Sequence, residues 1–230
     1  RSSDLMRHVE LDNYYDGSKI MVDLDEKLDP KSNAQKYYNK YQKAKNSINV
    51  LHEQIDLTKK EIEYFDSLLT LMDNASYYDA LEIKEELENL GYLKKKKKIN
   101  TIRKNKKPAF ETYYTKDNIE ISVGKNNLQN DYLTFKHAHR YDTWFHVKDM
   151  PGSHVVVKGN QLDEYTIRLA SNIAACYSKG KNSSSVPVNY TLIKTLKKPH
   201  GAKPGQVILD SYKTIYIDPD INCLNELKKK

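Results

Sequence analysis

One short segment holds the side chains best suited to contact a nucleic acid. In DTWFHVKDM, which begins at Asp142, successive side chains alternate between the two faces of a predicted strand. Trp144, His146 and Lys148 share one face, and Phe145 lies on the other. An indole, an imidazole and an ammonium group on one face suit base stacking beside a phosphate. The alternative is that Trp144 belongs to the core and that His146 is satisfied locally.

Two neighbouring segments offer further polar contacts. The turn Pro151-Gly152-Ser153, which leads to His154, has backbone N–H groups that suit an anion. The segment VGKNNLQND supplies one lysine and several amides, which either cap the following helix or hydrogen-bond sugar edges. Its candidate RNA-binding residues are Lys125, Asn126, Asn127 and Asn130.

Lysines are concentrated in two predicted loops. The first loop flanks the glycine that ends the domain's helix, and the phosphate-binding pattern G-x-x-x-x-G-K-[ST] is missing there. The second, LKKPHGAKPG, is stiffened by two prolines, which suits either a recognition loop or a solvated hairpin. The lysines that we assign to RNA binding are Lys179, Lys181, Lys197, Lys198 and Lys203, and Ser153 and His154 join them from the preceding turn.

The residue types of an enzyme are present without the spacing that catalysis needs. The seven histidines do not stand at metal-ligand spacing from carboxylates or thiolates. The two cysteines, Cys176 and Cys223, form no disulfide framework or metal pattern, which fits a reducing compartment. No apolar run reaches the length of a membrane span. We therefore expect a non-catalytic binding fragment without a cofactor, a metal or membrane insertion.

Charge divides the chain into two parts. Residues 1–92 hold 12 Lys/Arg and 19 Asp/Glu, a net charge of −7, whereas residues 93–230 hold 26 and 12, a net charge of +14. A basic part of this kind indicates a polyanionic partner, or alternatively a solvated surface that keeps the domain soluble.

The acidic part is predicted to be mainly helical. Residues 1–28 form the remnant of a preceding domain, with a β-hairpin at Asp16-Gly17. A helix is expected to begin near Ser32, with Gln35 completing a capping box. Because the chain begins at Arg1, we expect it to be a piece of a larger protein.

Apolar residues then recur every 3.5 positions, as in a coiled coil. The first series contains Ala34, Tyr41, Ile48, Ile55, Ile62 and Leu69, and the second contains Tyr37, Ala44, Leu51, Thr58, Phe65 and Met72. A shorter return helix, capped by Ser76 or Asp79, ends at Gly91. Since it is too short to cover this apolar seam, self-association through the coiled coil is one expected way to bury the rest.

The complete prediction is an α+β protein. A long antiparallel coiled-coil arm, residues 29–92, is followed by a basic linker, 93–108, a small mixed-sheet α+β domain, 109–222, and a basic tail, 223–230. One amphipathic helix among several strands is the pattern that indicates the α+β class.

Four of these motifs, in the same order, resemble the NFACT-R (DUF814) domain. They are VGKNNLQNDYLT, DTWFHVKDMPGSHVVVKG, YSKGKNSSSVPVNYTL and LKKPHGAKPG. The segments NAQKYYNKYQKAKNSINVLHEQI and EIEYFDSLL resemble the middle coiled coil that precedes it. The chain is thus similar to the C-terminal half of the fibronectin-binding-protein-A family, and to its bacterial RqcH proteins. That family often has two adjacent aromatics where this chain has Thr143-Trp144, which disfavours stacking at position 143.

The resemblance implies a role in ribosome-associated quality control. It implies binding to large-subunit ribosomal RNA and tRNA on obstructed subunits, in support of C-terminal alanine tailing of stalled chains in the cytoplasm. The family name points to an alternative: an adhesin fragment that binds fibronectin or fibrinogen at the cell surface, which it would reach by unconventional export.

Overall fold

A computed structural model describes residues 7–95 and 107–229. Most of the predicted linker, 93–108, and the last residue of the tail therefore lie outside the described residues. The chain divides into two compact units, Arg1–Lys60 and Glu61–Lys230.

The helices are α1 (Pro30–Met72), α2 (Tyr77–Asn89), α3 (Asn127–Tyr132) and α4 (Glu164–Cys176). The strands are β1 (His8–Asp12), β2 (Lys19–Asp23), β3 (Glu111–Tyr114), β4 (Glu120–Val123), β5 (Thr143–Val147), β6 (Val155–Val157), β7 (Val186–Leu192), β8 (Leu196–Lys197), β9 (Ile208–Leu209), β10 (Lys213–Ile217) and β11 (Lys228–Lys229).

The first unit opens with the hairpin that the sequence predicts. Strands β1 and β2 pair antiparallel, with Val9 opposite Val22. Gly17 occupies the turn at a φ of 69°, a left-handed conformation that glycine adopts without strain.

Helix α1 is continuous over 43 residues. It begins earlier than the predicted start at Ser32, because Pro30 occupies its first position, where a missing N–H costs no helical hydrogen bond. The Asp29 carboxylate accepts the Ser32 backbone N–H at 2.6 Å and so caps the first turn.

The heptad seam of α1 is not buried within this chain. Ile48, Ile55 and Ile62 are 53%, 48% and 62% exposed, so this chain by itself does not cover the seam, and its burial by a second partner stays a prediction. The buried face at the end of α1 contains Tyr64 and Leu68, which pack with Ile83 of α2. Helix α2 has only 13 residues and covers this end alone. Its cap is the predicted one, since Ser76 accepts the Asp79 N–H.

The second unit contains a seven-stranded sheet in the order β10-β7-β5-β6-β4-β3-β11. Each strand pairing described in it is antiparallel. Helix α4 packs on one face, where Leu169 and Ile173 meet Phe145 and Val155 in the main core. The helical segment and the sheet confirm the predicted α+β class.

The opposite face of the sheet carries a smaller core. Trp144 and Val156 pack there with Leu133 and Leu196. Strand β5 thus alternates as predicted, with Phe145 towards α4 and Trp144 away from it.

Candidate nucleic-acid interface

A cavity of about 570 Å³ with both polar and apolar lining residues lies in the second unit, on the face of the sheet opposite α4. The three aromatic side chains Trp144, His146 and His154 form part of its wall. Further lining residues come from the end of α1, from α3 and from the loop before β9, and they include Tyr64, Asn127, Asn130, Pro204 and Gln206. The cavity therefore brings together several of the residues that the sequence singled out.

The three aromatic side chains are in mutual contact. The Trp144 ring stacks on His146, with centroids 5.6 Å apart, and meets His154 edge-on at 5.1 Å. The indole is fully buried, which favours the core interpretation and corrects the expectation that Trp144 stacks on an RNA base. Its Nε1 is also buried and has no hydrogen-bond partner among the described residues.

Both histidines of the cavity are neutral at pH 7. Burial lowers the pKa of His146 to about 4, although hydrogen bonds with the Gly152 and Val147 backbone oppose the shift. His146 keeps some exposed surface, but its ring belongs to the cavity wall, so the shift towards the neutral form holds. Burial, with a smaller effect of His146, lowers the pKa of His154 well below its usual value. Neutral imidazoles offer hydrogen bonds here and do not attract a phosphate by charge.

The asparagine motif before and within α3 joins the sheet to helix α2. Asn126 caps α3 by accepting the Gln129 N–H at 2.8 Å, and its amide donates to Glu82 at 2.7 Å. The Gln129 amide donates to Asp79 at 2.7 Å and to Glu82 at 2.8 Å. Since Asn126 is fully buried, the capping interpretation is confirmed, and the expectation that its amide faces an RNA sugar is corrected.

The other two asparagines of the motif are also buried and internally bonded. The Asn127 amide reaches Glu86 at 3.4 Å, and the Asn130 side chain accepts the His154 N–H at 3.0 Å. Both line the cavity, but their exposure is only 5% and 2%, so neither forms part of an open RNA-binding surface. A Cβ on Gly124 would lie 2.3 Å from the Asn130 Oδ1, which explains the glycine before this motif.

Glu86 occupies the centre of this junction. Its Oε1 accepts the Tyr64 hydroxyl at 2.8 Å, whereas its buried Oε2 has no partner among the described residues. Burial raises the pKa of the Glu86 carboxyl, and the bonds from Tyr64 and Asn127 only partly oppose the shift. The sequence offered no signal for this residue, since it stands on α2, distant from the motif that it contacts.

The turn after β5 does not present its N–H groups to a ligand. The Ser153 N–H donates to the Tyr177 carbonyl at 3.0 Å, and the next N–H, from His154, is used by Asn130. Ser153 is 1% exposed and His154 is 2% exposed. The anion-binding turn predicted at Pro151-Gly152-Ser153 is thus corrected to an internally bonded turn.

Most of the predicted RNA-binding lysines make ion pairs within the second unit. The pairs are Lys179 with Asp66 (2.6 Å), Lys181 with Asp73 (3.0 Å), Lys197 with Asp210 (2.6 Å), Lys198 with Asp131 (2.5 Å) and Lys125 with Glu111 (2.9 Å). Lys203 lies 3.9 Å from the centroid of the Tyr64 ring, and Lys148 is partly exposed. The pairs of Lys179, Lys181, Lys197 and Lys198 are at least partly exposed and therefore weak, so phosphates compete for these four lysines on nearly equal terms. The Lys125 side chain is only 15% exposed beside Glu111, which corrects the expectation that it belongs to an open RNA-binding surface.

An exposed aromatic residue flanked by two cations was missed from the sequence. Tyr141 is 51% exposed. The Arg140 guanidinium and the Lys194 ammonium lie 5.1 and 5.4 Å from the centroid of its ring. The Lys194 N–H also donates to the Arg140 carbonyl at 3.0 Å. The two cations are 54 positions apart, so only the fold brings them together.

Within residues 7–95 and 107–229, no three His, Cys, Asp or Glu side chains are grouped so as to hold a metal ion. Across those residues, each helix is too short or too polar to cross a bilayer.

Comparison with known proteins identifies the family. Residues 2–107 match the NFACT N-terminal and middle domains, and residues 109–211 match the NFACT protein RNA binding domain. The solved C-terminal part of the fibronectin/fibrinogen-binding protein from Streptococcus suis has a similar fold. It is 41% identical, with a TM-score of 0.75 over 86% of this chain and 80% of that one. The chain belongs to the NFACT family.

Curated NFACT proteins extend well beyond the matched region. The chain is 49% identical over 226 residues to the Rqc2 homolog RqcH of Bacillus subtilis strain 168. It is 42% identical to the Rqc2 homolog RqcH of Streptococcus suis strain 05ZYH33 over 222 residues. It spans 40% of the length of each of these NFACT relatives.

Proposed function

We propose that the second unit binds RNA and that the protein acts in ribosome quality control. The observation that supports this most directly is the match of residues 109–211 to the NFACT RNA binding domain. The charge agrees, since residues 93–230 have 26 Lys/Arg against 12 Asp/Glu. A surplus of cations attracts phosphate backbones whatever their sequence.

We assign base stacking to Tyr141 in place of Trp144. Tyr141 is exposed and has the Arg140 and Lys194 cations over its ring, so a base that stacks there displaces one of these exposed contacts and has cations close by for the adjoining phosphates. The indole of Trp144 is enclosed and cannot present its face to a strand.

The finer proposal concerns the partners of the whole protein. We propose that its RNA targets are the large ribosomal subunit and tRNA, and that binding supports alanine tailing of stalled nascent chains in the cytoplasm. This proposal is supported by the similarity to the RqcH relatives, of which the chain spans 40%.

The test is to replace Tyr141 by alanine and to measure affinity for tRNA and for purified large subunits. We expect binding to weaken by about 1–3 kcal/mol, the usual loss for one base–aromatic stack. The domain should stay folded because the ring is half exposed. Tyr38→Ala is the matched control, since Tyr38 is 56% exposed on α1. Equal RNA affinity for wild type and Tyr141→Ala would contradict the stacking role, and an absence of RNA binding at low salt would contradict the function.

A further inference from the structure

The cavity beside Trp144 is built for an uncharged ligand. Its lining residues include the acidic Glu63, Asp66 and Asp149, and no lysine or arginine is among those that the structure describes. A phosphate placed there would face these carboxylates with no cation on the wall and two neutral imidazoles. Phosphates of a bound strand must therefore remain outside, on the lysine-bearing surface.

Trp144, one of the residues that line the cavity, has a hydrogen-bond donor that lacks an acceptor in the part of the chain that the structure describes. The Trp144 Nε1–H is buried and unpartnered among the described residues. Buried N–H groups are nearly always bonded, so this one indicates a ligand or ordered water that supplies an acceptor. Two amide side chains, Asn189 and Gln206, line the same space. The Gln206 oxygen accepts the Lys203 N–H and the Asn189 oxygen accepts the Thr214 hydroxyl, so the NH₂ groups of both amides are the donors that can contact an acceptor on the edge of a base.

We propose that this cavity receives one unstacked nucleobase of a bound RNA strand. The proposal rests on the proposed RNA-binding function and specifies the part of the RNA that enters. An acceptor on the base takes the Trp144 Nε1 proton, the base lies against the His146 imidazole, and the amide of Gln206 or Asn189 contacts its edge. Side chains that read an extruded base in this way are common in proteins that recognise single-stranded RNA.

The single tryptophan makes the proposal directly testable. In ¹H–¹⁵N NMR the indole N–H of Trp144 gives one resonance. We expect that titration with at least one of adenosine, guanosine, cytidine and uridine shifts it saturably, and that a short RNA containing that base does the same. Ribose 5-phosphate, which has the charge without the base, should leave it in place.

Two variants locate the contact. His146→Ala removes the ring against which the base lies, and Gln206→Ala removes an exposed amide that contacts the edge of the base. Each should weaken nucleoside binding about tenfold, the usual effect of losing one stacking contact or one hydrogen bond. His52→Ala and Gln54→Ala, at exposed positions of α1, are the matched controls. Thermal unfolding of each variant confirms that it is folded.

The outcomes distinguish failure of the cavity proposal from failure of the proposed RNA-binding function. RNA binding with a normal salt dependence, but no indole shift with any nucleoside, overturns the cavity proposal and leaves RNA binding intact. A shift with nucleosides but not with the RNA that contains the base also overturns it, because the cavity then takes a free nucleoside. If both variants bind the nucleoside as tightly as wild type, the position proposed for the base, beside His146 and Gln206, is wrong. If RNA itself does not bind, both proposals fail.

Discussion

At the residue scale, Trp144 decides between packing and recognition. Its indole is fully buried among Leu133, Val156 and Leu196. We predict that Trp144→Ala lowers the free energy of unfolding by about 3–5 kcal/mol, since a large core side chain leaves a cavity. Chemical denaturation measures this loss of stability. A variant as stable as wild type would show that the indole is not part of the core.

Glu111 makes the free energy of unfolding depend on pH. Its carboxylate bonds Lys229 at 2.7 Å, the Tyr113 hydroxyl at 2.6 Å and Lys125 at 2.9 Å. Burial alone would raise the pKa of Glu111, but these three partners outweigh it and lower the pKa to about 2. Because the folded pKa lies below the unfolded one, the stabilisation is complete above about pH 4.5 and is lost as the pH falls towards 2.

The prediction for Glu111 follows from that sign. Glu111→Gln should cost about 2 kcal/mol at pH 7, and the difference from wild type should shrink steadily from pH 5 to pH 3. Thermal unfolding across that range measures it. Glu164→Gln, which removes an exposed carboxylate on α4, is the matched control. A penalty for Glu111→Gln that is the same at pH 7 and pH 3 would refute the ionic explanation.

At the scale of the element, α1 carries an apolar stripe that this chain does not cover. Ile48 and Ile55 are about half exposed. We predict that the chain by itself self-associates through this stripe, and that the double variant Ile48→Asp and Ile55→Asp lowers its mass in light scattering. Lys45→Asp, one turn away on a polar position, is the charge-matched control. A wild-type chain that stays monomeric at high concentration would contradict the prediction.

Secondary-structure elements could be predicted from the sequence more reliably than which side chains are exposed. The long uninterrupted helix α1, Ser76 as one of two candidate caps of α2, and the alternation along β5 each depend on neighbours a few positions away, and the structure confirms all three. The roles of the polar motifs depend on distant partners. Asn126 is buried because Glu82, 44 positions earlier, accepts its amide hydrogen.

In the candidate site, too, features set by neighbouring residues could be predicted and features set by distant partners could not. Trp144, His146 and His154 were chosen from the sequence and do meet in one cavity. That Trp144 is enclosed and Tyr141 is exposed could not be predicted, because strand periodicity gives the face of a residue and not what covers that face. The sequence assigns the lysines of both loops to RNA binding, whereas the fold supplies carboxylates such as Asp66 and Asp210 to several of them.

At the scale of the whole molecule, charge is the property that sets RNA affinity. The net charge is +7, with the surplus in residues 93–230. We predict that affinity for RNA falls steeply between about 50 and 200 mM salt, because lysine contacts release counterions from phosphate. Binding of fibronectin, the ligand named for the S. suis protein, is measured in the same series. A flat salt response for RNA together with fibronectin binding would favour the adhesin alternative.

The ion pairs of Lys179 with Asp66 and of Lys181 with Asp73 connect the loop after α4 to the end of α1. A phosphate that takes either lysine must displace a carboxylate of the helix. RNA binding and the attachment of the helix end to the sheet are then thermodynamically linked, and each weakens the other by the same free energy. In a larger NFACT protein, this competition would let the arrival of RNA change the freedom of the helix.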